Sequence, residues 1–173
     1  MSNVRMPYTK YNDGADGKAI ASFKVKKLLC DASQYVVPMY QRNYAWGEGE
    51  INQLIQDVLD YQHSKPDQTY YIGTLVVFER NDGSFEVIDG QQRFTTLTLL
   101  TFALKRLYAA GKVTVDMGWY TTPNLNFESR QKSSDTFACL IQGVALEHLK
   151  TDDYNLDVVN GFSLLEKGLL ALG

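Results

Sequence analysis

Residues 85–94 read FEVIDGQQRF and join a strand to a long helix within a single turn. The first four alternate as a β-strand does. Gly90 permits a tight turn that other residues resist. From Gln91 or Gln92, apolar residues recur at helical spacing as far as about Ala110. The stretch therefore predicts a sheet and a helix that meet at a polar turn.

The polar residues of this turn are suited to bind a phosphate. The first N–H groups of a helix lack internal partners, and the helix dipole places positive charge there. Arg93 can add a bidentate contact to phosphate oxygens, and Gln91 and Gln92 supply amide donors and acceptors. Asp89 could hold a metal ion, orient a water molecule or cap the helix. The same residues also fit an ordinary helix start without function.

A second polar and aromatic stretch, VPMYQRNYAW at residues 37–46, predicts an ordered loop. Aromatic rings stack on nucleobases, and arginine binds phosphates and ring faces. Tyr40, Gln41, Arg42 and Trp46 are thus suited to form a second wall of a phosphate site. The alternative is that the rings only cover the edge of the domain.

The other periodicities predict an α+β fold. One apolar stripe marks a helix over residues 48–62, and strand-like runs at 70–79 and 84–88 flank an RNDG turn. Two further helices are expected, one from about residue 134 with His148 near its end, and one over residues 156–172.

These elements suggest three regions. The polar, Gly- and Asp-rich residues 1–19 are interpreted as a flexible leader. Residues 20–112 form a core that carries both polar stretches, and residues 113–173 form a mainly helical extension that we expect to continue beyond the chain end.

Composition limits the classes of function. The 173 residues carry a net charge of -3, from 17 basic and 20 acidic side chains, which disfavours a general polyanion binder. Two basic clusters, one around Lys26 and the other at Arg130 and Lys132, are interpreted as solvated surface.

The cysteines and the N-terminus indicate a cytoplasmic protein. Cys30 and Cys139 match no metal spacing and are interpreted as buried free thiols, which suits a reducing compartment. No apolar run is long enough for a signal peptide or a membrane span, so no membrane partner is expected.

Over residues 20–110 the sequence resembles the N-terminal domain of GmrSD-type, modification-dependent restriction endonucleases, which is related to the ParB/sulfiredoxin-like fold. The matching segments are PMYQRNYAW at 38–46, the helix with Leu54 and Asp57, YIGTL at 71–75 and VIDGQQRFTTL at 87–97. The match is looser from Phe127 onward. The resemblance implies a small ParB/sulfiredoxin-like sheet with a hairpin and packed helices, followed by a helical C-terminal part. It also implies that residues 20–112 are a ParB-like nucleotide-binding core.

The resemblance also implies a nucleotide site associated with hydrolysis of an NTP (ATP, GTP or another) and with Mg²⁺. The catalytic positions carried over are Asp89, Gln91, Gln92 and Arg93, with Asp89 also the expected metal ligand. The nucleotide-binding positions carried over are Tyr40, Gln41, Arg42, Trp46 and Gly90.

Such proteins restrict foreign or modified DNA in defence against phage, and many carry a nuclease domain of the His-Asn-His type. This chain has two histidines, His63 and His148, and neither lies in such a cluster. We therefore expect DNA contacts in the full-length protein and a nuclease domain or partner subunit elsewhere. The alternatives are a non-catalytic DNA-binding or modified-base-sensing module and, more weakly, a small-molecule kinase.

Overall fold

The computed structural model describes residues 4–11, 19–64 and 68–172. The elements are β1 (Val4–Tyr11), β2 (Ala19–Lys24), α1 (Val25–Leu29), β3 (Tyr35–Val37), α2 (Glu48–Ser64), β4 (Tyr70–Tyr71), β5 (Leu75–Glu79), β6 (Phe85–Asp89), α3 (Gln91–Ala109), β7 (Leu125–Phe127), α4 (Gln131–Ile141), a 3₁₀ turn (Leu146–Leu149) and α5 (Leu156–Leu170). The predicted α+β class is confirmed.

Within the described ranges the strands form one mixed, seven-stranded sheet in the order β2-β1-β5-β6-β3-β7, with β4 beside β1. β5 and β6 form the predicted hairpin, closed by Gly83 at φ +80°. β3 lies parallel to β6, and β7 lies parallel to β3. Strand β6, which leads into the turn, therefore lies inside the sheet and not at its edge.

The core lies on one face of the sheet, because strand residues alternate between buried and less buried positions. α3 is buried on nearly all sides and packs against α5, which also contacts α2. Four threonines of α3 are buried, and three of them, Thr96, Thr98 and Thr101, donate their hydroxyl to the carbonyl four residues earlier. These bonds satisfy the hydroxyls and allow a threonine-rich helix to occupy the core.

The flexible leader predicted for residues 1–19 is wrong over Val4–Tyr11, which forms β1. This strand pairs with β2, β4 and β5. Local composition does not show such pairing, because the partner residues of β5 lie more than sixty positions along the chain. Residues 1–3 and 12–18 lie outside the described part of the chain.

Several other expectations change in detail. The strand predicted over residues 70–79 is broken at Gly73, where φ is +122°. α4 begins at Gln131, earlier than expected, and His148 lies exposed in the 3₁₀ turn. Cys30, expected to be buried, is exposed, and Cys139 is half-buried.

The predicted C-terminal extension shares the sheet and the core with the region before it. β7 pairs with β3, and α5 packs against α2 and α3. In the part of the chain that the structure describes, no helix is long and apolar enough to cross a bilayer.

Candidate functional site

A polar cavity of about 270 Å³ opens at the turn between β6 and α3. It is lined by Gln41, Arg42, Trp46, Asp89, Gly90, Gln91, Gln92 and Arg93. Every one of these residues is a candidate from the sequence. Tyr40, the remaining candidate, does not line the cavity. Its side chain is 64% exposed, and its hydroxyl donates to Glu86 Oε1 at 2.5 Å.

Gly90 makes the turn possible. It is the N-cap of α3 and has φ +89°, a left-handed conformation that residues with a side chain rarely adopt. A Cβ at this position would lie 2.6 Å from the carbonyl oxygen of Thr74, the residue just before β5. The turn therefore requires glycine for both its conformation and its close packing.

Among the described residues, no side chain caps the start of α3. Its first backbone bond joins the Phe94 N–H to the Gly90 carbonyl at 3.0 Å, so the N–H groups before Phe94 have no helical partner. The role of helix cap considered for Asp89 is therefore wrong, because Gly90 takes that position. Asp89 itself is exposed at the mouth of the turn.

The side chains of Gln91 and Gln92 hold the opposite loop. Gln91 Nε2 donates to the Arg42 carbonyl at 2.9 Å, and Gln92 Nε2 donates to the Asn43 carbonyl at 2.8 Å. Gln92 Oε1 also accepts from the Ala45 N–H at 2.9 Å. Both glutamines are largely buried. The first turn of α3 thus fixes the loop of residues 38–46 at three backbone positions.

We expect Gln92→Met to loosen this loop while preserving side-chain volume. The Asn43 carbonyl and the Ala45 N–H would lose their partner, at a cost of roughly 1–3 kcal/mol in unfolding free energy. Urea denaturation measures the loss, and trypsin should cleave after exposed Arg42 faster than in the wild type.

Gln53→Met is a suitable control, because Gln53 is exposed and its side-chain amide donates to Asp57 on its own helix. Equal cleavage rates at Arg42 in the Gln92 variant and the wild type would contradict the anchoring role.

Tyr44 fastens the loop to the core. It is 3% exposed, and its hydroxyl lies 2.9 Å from Thr96 Oγ1 on α3. Gly161 of α5 leaves room for the ring, since a Cβ there would lie 2.7 Å from Tyr44 Cε1. Burial raises the pKa of the Tyr44 phenol to about 12. For this ring the structural interpretation, not ligand binding, is correct.

The loop is also tied to the sheet from outside. Gln41 Nε2 donates to the Ile88 carbonyl at 2.8 Å. Arg80 donates to Glu86 at 2.7 Å and to both oxygens of Glu128, at 3.1 and 3.2 Å, and Glu128 accepts from the Met39 N–H at 3.3 Å. These contacts connect the β5–β6 hairpin to the start of the loop.

Glu128 makes this connection sensitive to acid. The Arg80 hydrogen bonds, with the Met39 N–H, lower its pKa below the ordinary value of 4.5. Because the folded-state pKa is depressed, its contribution to stability is complete above 4.5 and is lost as the pH falls below that value.

We expect Glu128→Gln to flatten the fall in melting temperature between pH 4.5 and the acid limit of folding. Melting curves across that range test this. Glu147→Gln, at an exposed position in the 3₁₀ turn, should keep the wild-type profile. Parallel acid profiles for Glu128→Gln and the wild type would rule out the contribution of Glu128.

Arg130 also holds the loop of residues 38–46, a role that the sequence did not predict. Its guanidinium donates to the carbonyl oxygens of Met39, Gln41 and Arg42, the first and last at 3.3 and 3.2 Å. Its interpretation as part of a solvated cluster is therefore wrong. A contact to a segment about ninety residues earlier leaves no local pattern in the sequence.

Two cationic side chains that line the cavity could bind a ligand. Arg42 is exposed and Arg93 is half-buried. Among the described residues, neither guanidinium makes a hydrogen bond or an ion pair. Asp89 contributes the one carboxylate of the lining. No cluster of three metal-ligating side chains occurs in the described ranges.

Fold and site together define an α+β domain in which a strand-to-helix turn and an anchored loop enclose a polar, arginine-bearing cavity. The chain belongs to the family of the GmrSD restriction endonuclease N-terminal domain, whose family model matches residues 25–167. It is therefore a domain of a DNA restriction system. A search of curated proteins finds no match to the chain.

Proposed function

We propose that this domain binds a nucleoside triphosphate in the cavity and hydrolyses it in the service of DNA restriction. One observation carries the proposal: two guanidiniums without protein partners among the described residues and an uncapped helix start line the same cavity. Unpaired cations beside free N–H groups favour an anion of high charge, and a polyphosphate meets that requirement.

The phosphates would lie on the backbone N–H groups from Gly90 to Gln92, between Arg42 and Arg93. Arginine suits this task, because its planar fork can donate two parallel hydrogen bonds to phosphate oxygens. Trp46, the aromatic side chain of the lining, would offer its ring face to the base. Tyr40 would contact the nucleotide only from the rim, since its hydroxyl is bonded to Glu86.

Asp89 fits a magnesium ion that is shared with phosphate oxygens. Magnesium is commonly held by one or two carboxylates together with substrate phosphates, and a single carboxylate in the lining matches this pattern. A bound Mg²⁺ would neutralise charge on the phosphates during transfer. The Gln91 amide donates to the Arg42 carbonyl, which leaves its Oε1 to accept a hydrogen bond from an attacking water.

The domain would act in the cytoplasm. Its free Cys30 and Cys139 are compatible with that reducing environment. DNA and a nuclease domain or partner subunit complete the system. Hydrolysis here would report or drive an event at the DNA, and cutting would occur elsewhere.

The test is a panel of nucleoside triphosphates with Mg²⁺, measured by equilibrium titration and by phosphate release, with and without duplex DNA. We expect saturable binding and phosphate release for at least one nucleotide, and loss of release with EDTA. Absence of binding to every nucleotide would refute the proposal. If the chain instead bound modified duplexes in preference to unmodified ones, it would be a sensing module.

A further inference from the structure

Gly73, in the break between β4 and β5, lies directly against the guanidinium of Arg93. A Cβ built on Gly73 would lie 2.3 Å from Arg93 Nη1 and 2.7 Å from Cζ, distances that real Cβ atoms do not show. The residue also has φ +122°. The backbone conformation therefore favours glycine here, and any larger residue would displace the Arg93 guanidinium from its present position.

The same guanidinium is within electrostatic reach of Tyr70. Burial raises the pKa of the Tyr70 phenol, Asp57 adds to the rise and Arg93 opposes it. Arg93 thus lies beside the strand break and lines the cavity. In the described ranges no hydrogen bond or ion pair holds the guanidinium, and it lies over the bare Cα of Gly73.

We propose that Gly73 is a positioning residue that presents the Arg93 guanidinium to the ligand of the cavity. The proposal has two parts. The ligand part, the effect of Gly73 on ligand binding, rests on the proposed function, whereas the packing part, the contact between Gly73 and the Arg93 guanidinium, does not. A long, flexible side chain that is held in place before binding loses less conformational freedom when the ligand arrives. Moving the guanidinium from the bare Cα of Gly73 would therefore weaken ligand binding without removing the charge.

The packing part is tested by melting temperatures of Gly73→Ala, Arg93→Ala and the double variant. The strain of alanine at φ +122° is the same whichever residue occupies position 93, so it cancels in the double-mutant cycle. We expect Gly73→Ala to lower the melting temperature clearly less when it is combined with Arg93→Ala than when Arg93 is present. Additive shifts would overturn the proposal.

Gly83 provides a matched control. It also has a positive φ, +80°, but a Cβ there would meet nothing within 4 Å. Gly83→Ala should carry a backbone penalty of its own and show additive shifts with Arg93→Ala. It should also leave nucleotide affinity unchanged.

The ligand part is tested by titrating the same variants with the nucleotide that the panel selects. We expect Gly73→Ala to weaken binding about tenfold, the loss of one charge-assisted hydrogen bond, and the double variant to bind no worse than Arg93→Ala. Wild-type affinity in Gly73→Ala would overturn the positioning role. Failure of the wild type to bind any nucleotide would remove the proposed function, and the stability coupling would still show whether Gly73 seats Arg93.

Discussion

Arg93→Ala is expected to weaken nucleotide binding by about 100-fold or more, while the melting temperature stays near that of the wild type. Each charge-assisted hydrogen bond contributes roughly 1.5–3 kcal/mol, and a bidentate contact contains two of them. Stability should change little, because the guanidinium makes no ion pair with any described residue.

Isothermal titration and thermal melting of the same preparation separate the two effects. Lys112→Ala is the control, since it removes one positive charge at an exposed site beyond the far end of α3, about 28 Å away for a helix of 19 residues. It should bind like the wild type. Undiminished affinity in Arg93→Ala would exclude this turn as the phosphate site.

Gly90→Ala should be the most destabilising single substitution at the site, at roughly 3 kcal/mol of unfolding free energy. Alanine at φ +89° is strained by about 1–2 kcal/mol. Its Cβ would also lie 2.6 Å from the Thr74 carbonyl, an atom of the backbone that cannot rotate away. Either β5 or the start of α3 must shift, and the N–H groups facing the cavity shift with it.

Urea denaturation measures this loss. Gly143→Ala is the matched control, because Gly143 has φ +80° and open space around the missing Cβ. Gly143→Ala should lose only the unfolding free energy that backbone strain costs. Equal losses at Gly90 and Gly143 would mean that the contact with Thr74 contributes nothing.

Local patterns were sufficient to predict the turn and the helix that follows it. The alternation before Asp89 and the helical spacing after Gly90 extend over neighbouring residues, so they can be recognised in a single sequence. The polar character of residues 38–46 and 89–93 likewise predicted the side chains that line the cavity, with the exception of Tyr40, which does not line it.

Contacts between distant residues could not be predicted in this way. Gln91 and Gln92 were expected to face a ligand, yet their amides bind carbonyls 49 positions earlier. Arg130 and β1 were missed for the same reason, because their partners are set by tertiary packing. A polar side chain at a helix start has several possible partners, and only the fold decides among them.

Gln91 and Gln92 join the loop of residues 38–46 to the first turn of α3, so these two segments do not move independently. The Ala45 amide, bonded to Gln92, should exchange its hydrogen only when the first turn of α3 opens. Loop and turn then open and close as one cooperative unit, so a substitution in the loop alters the turn, and a substitution in the turn alters the loop. The two segments, separated along the chain by the β5–β6 hairpin, therefore behave as one structural unit.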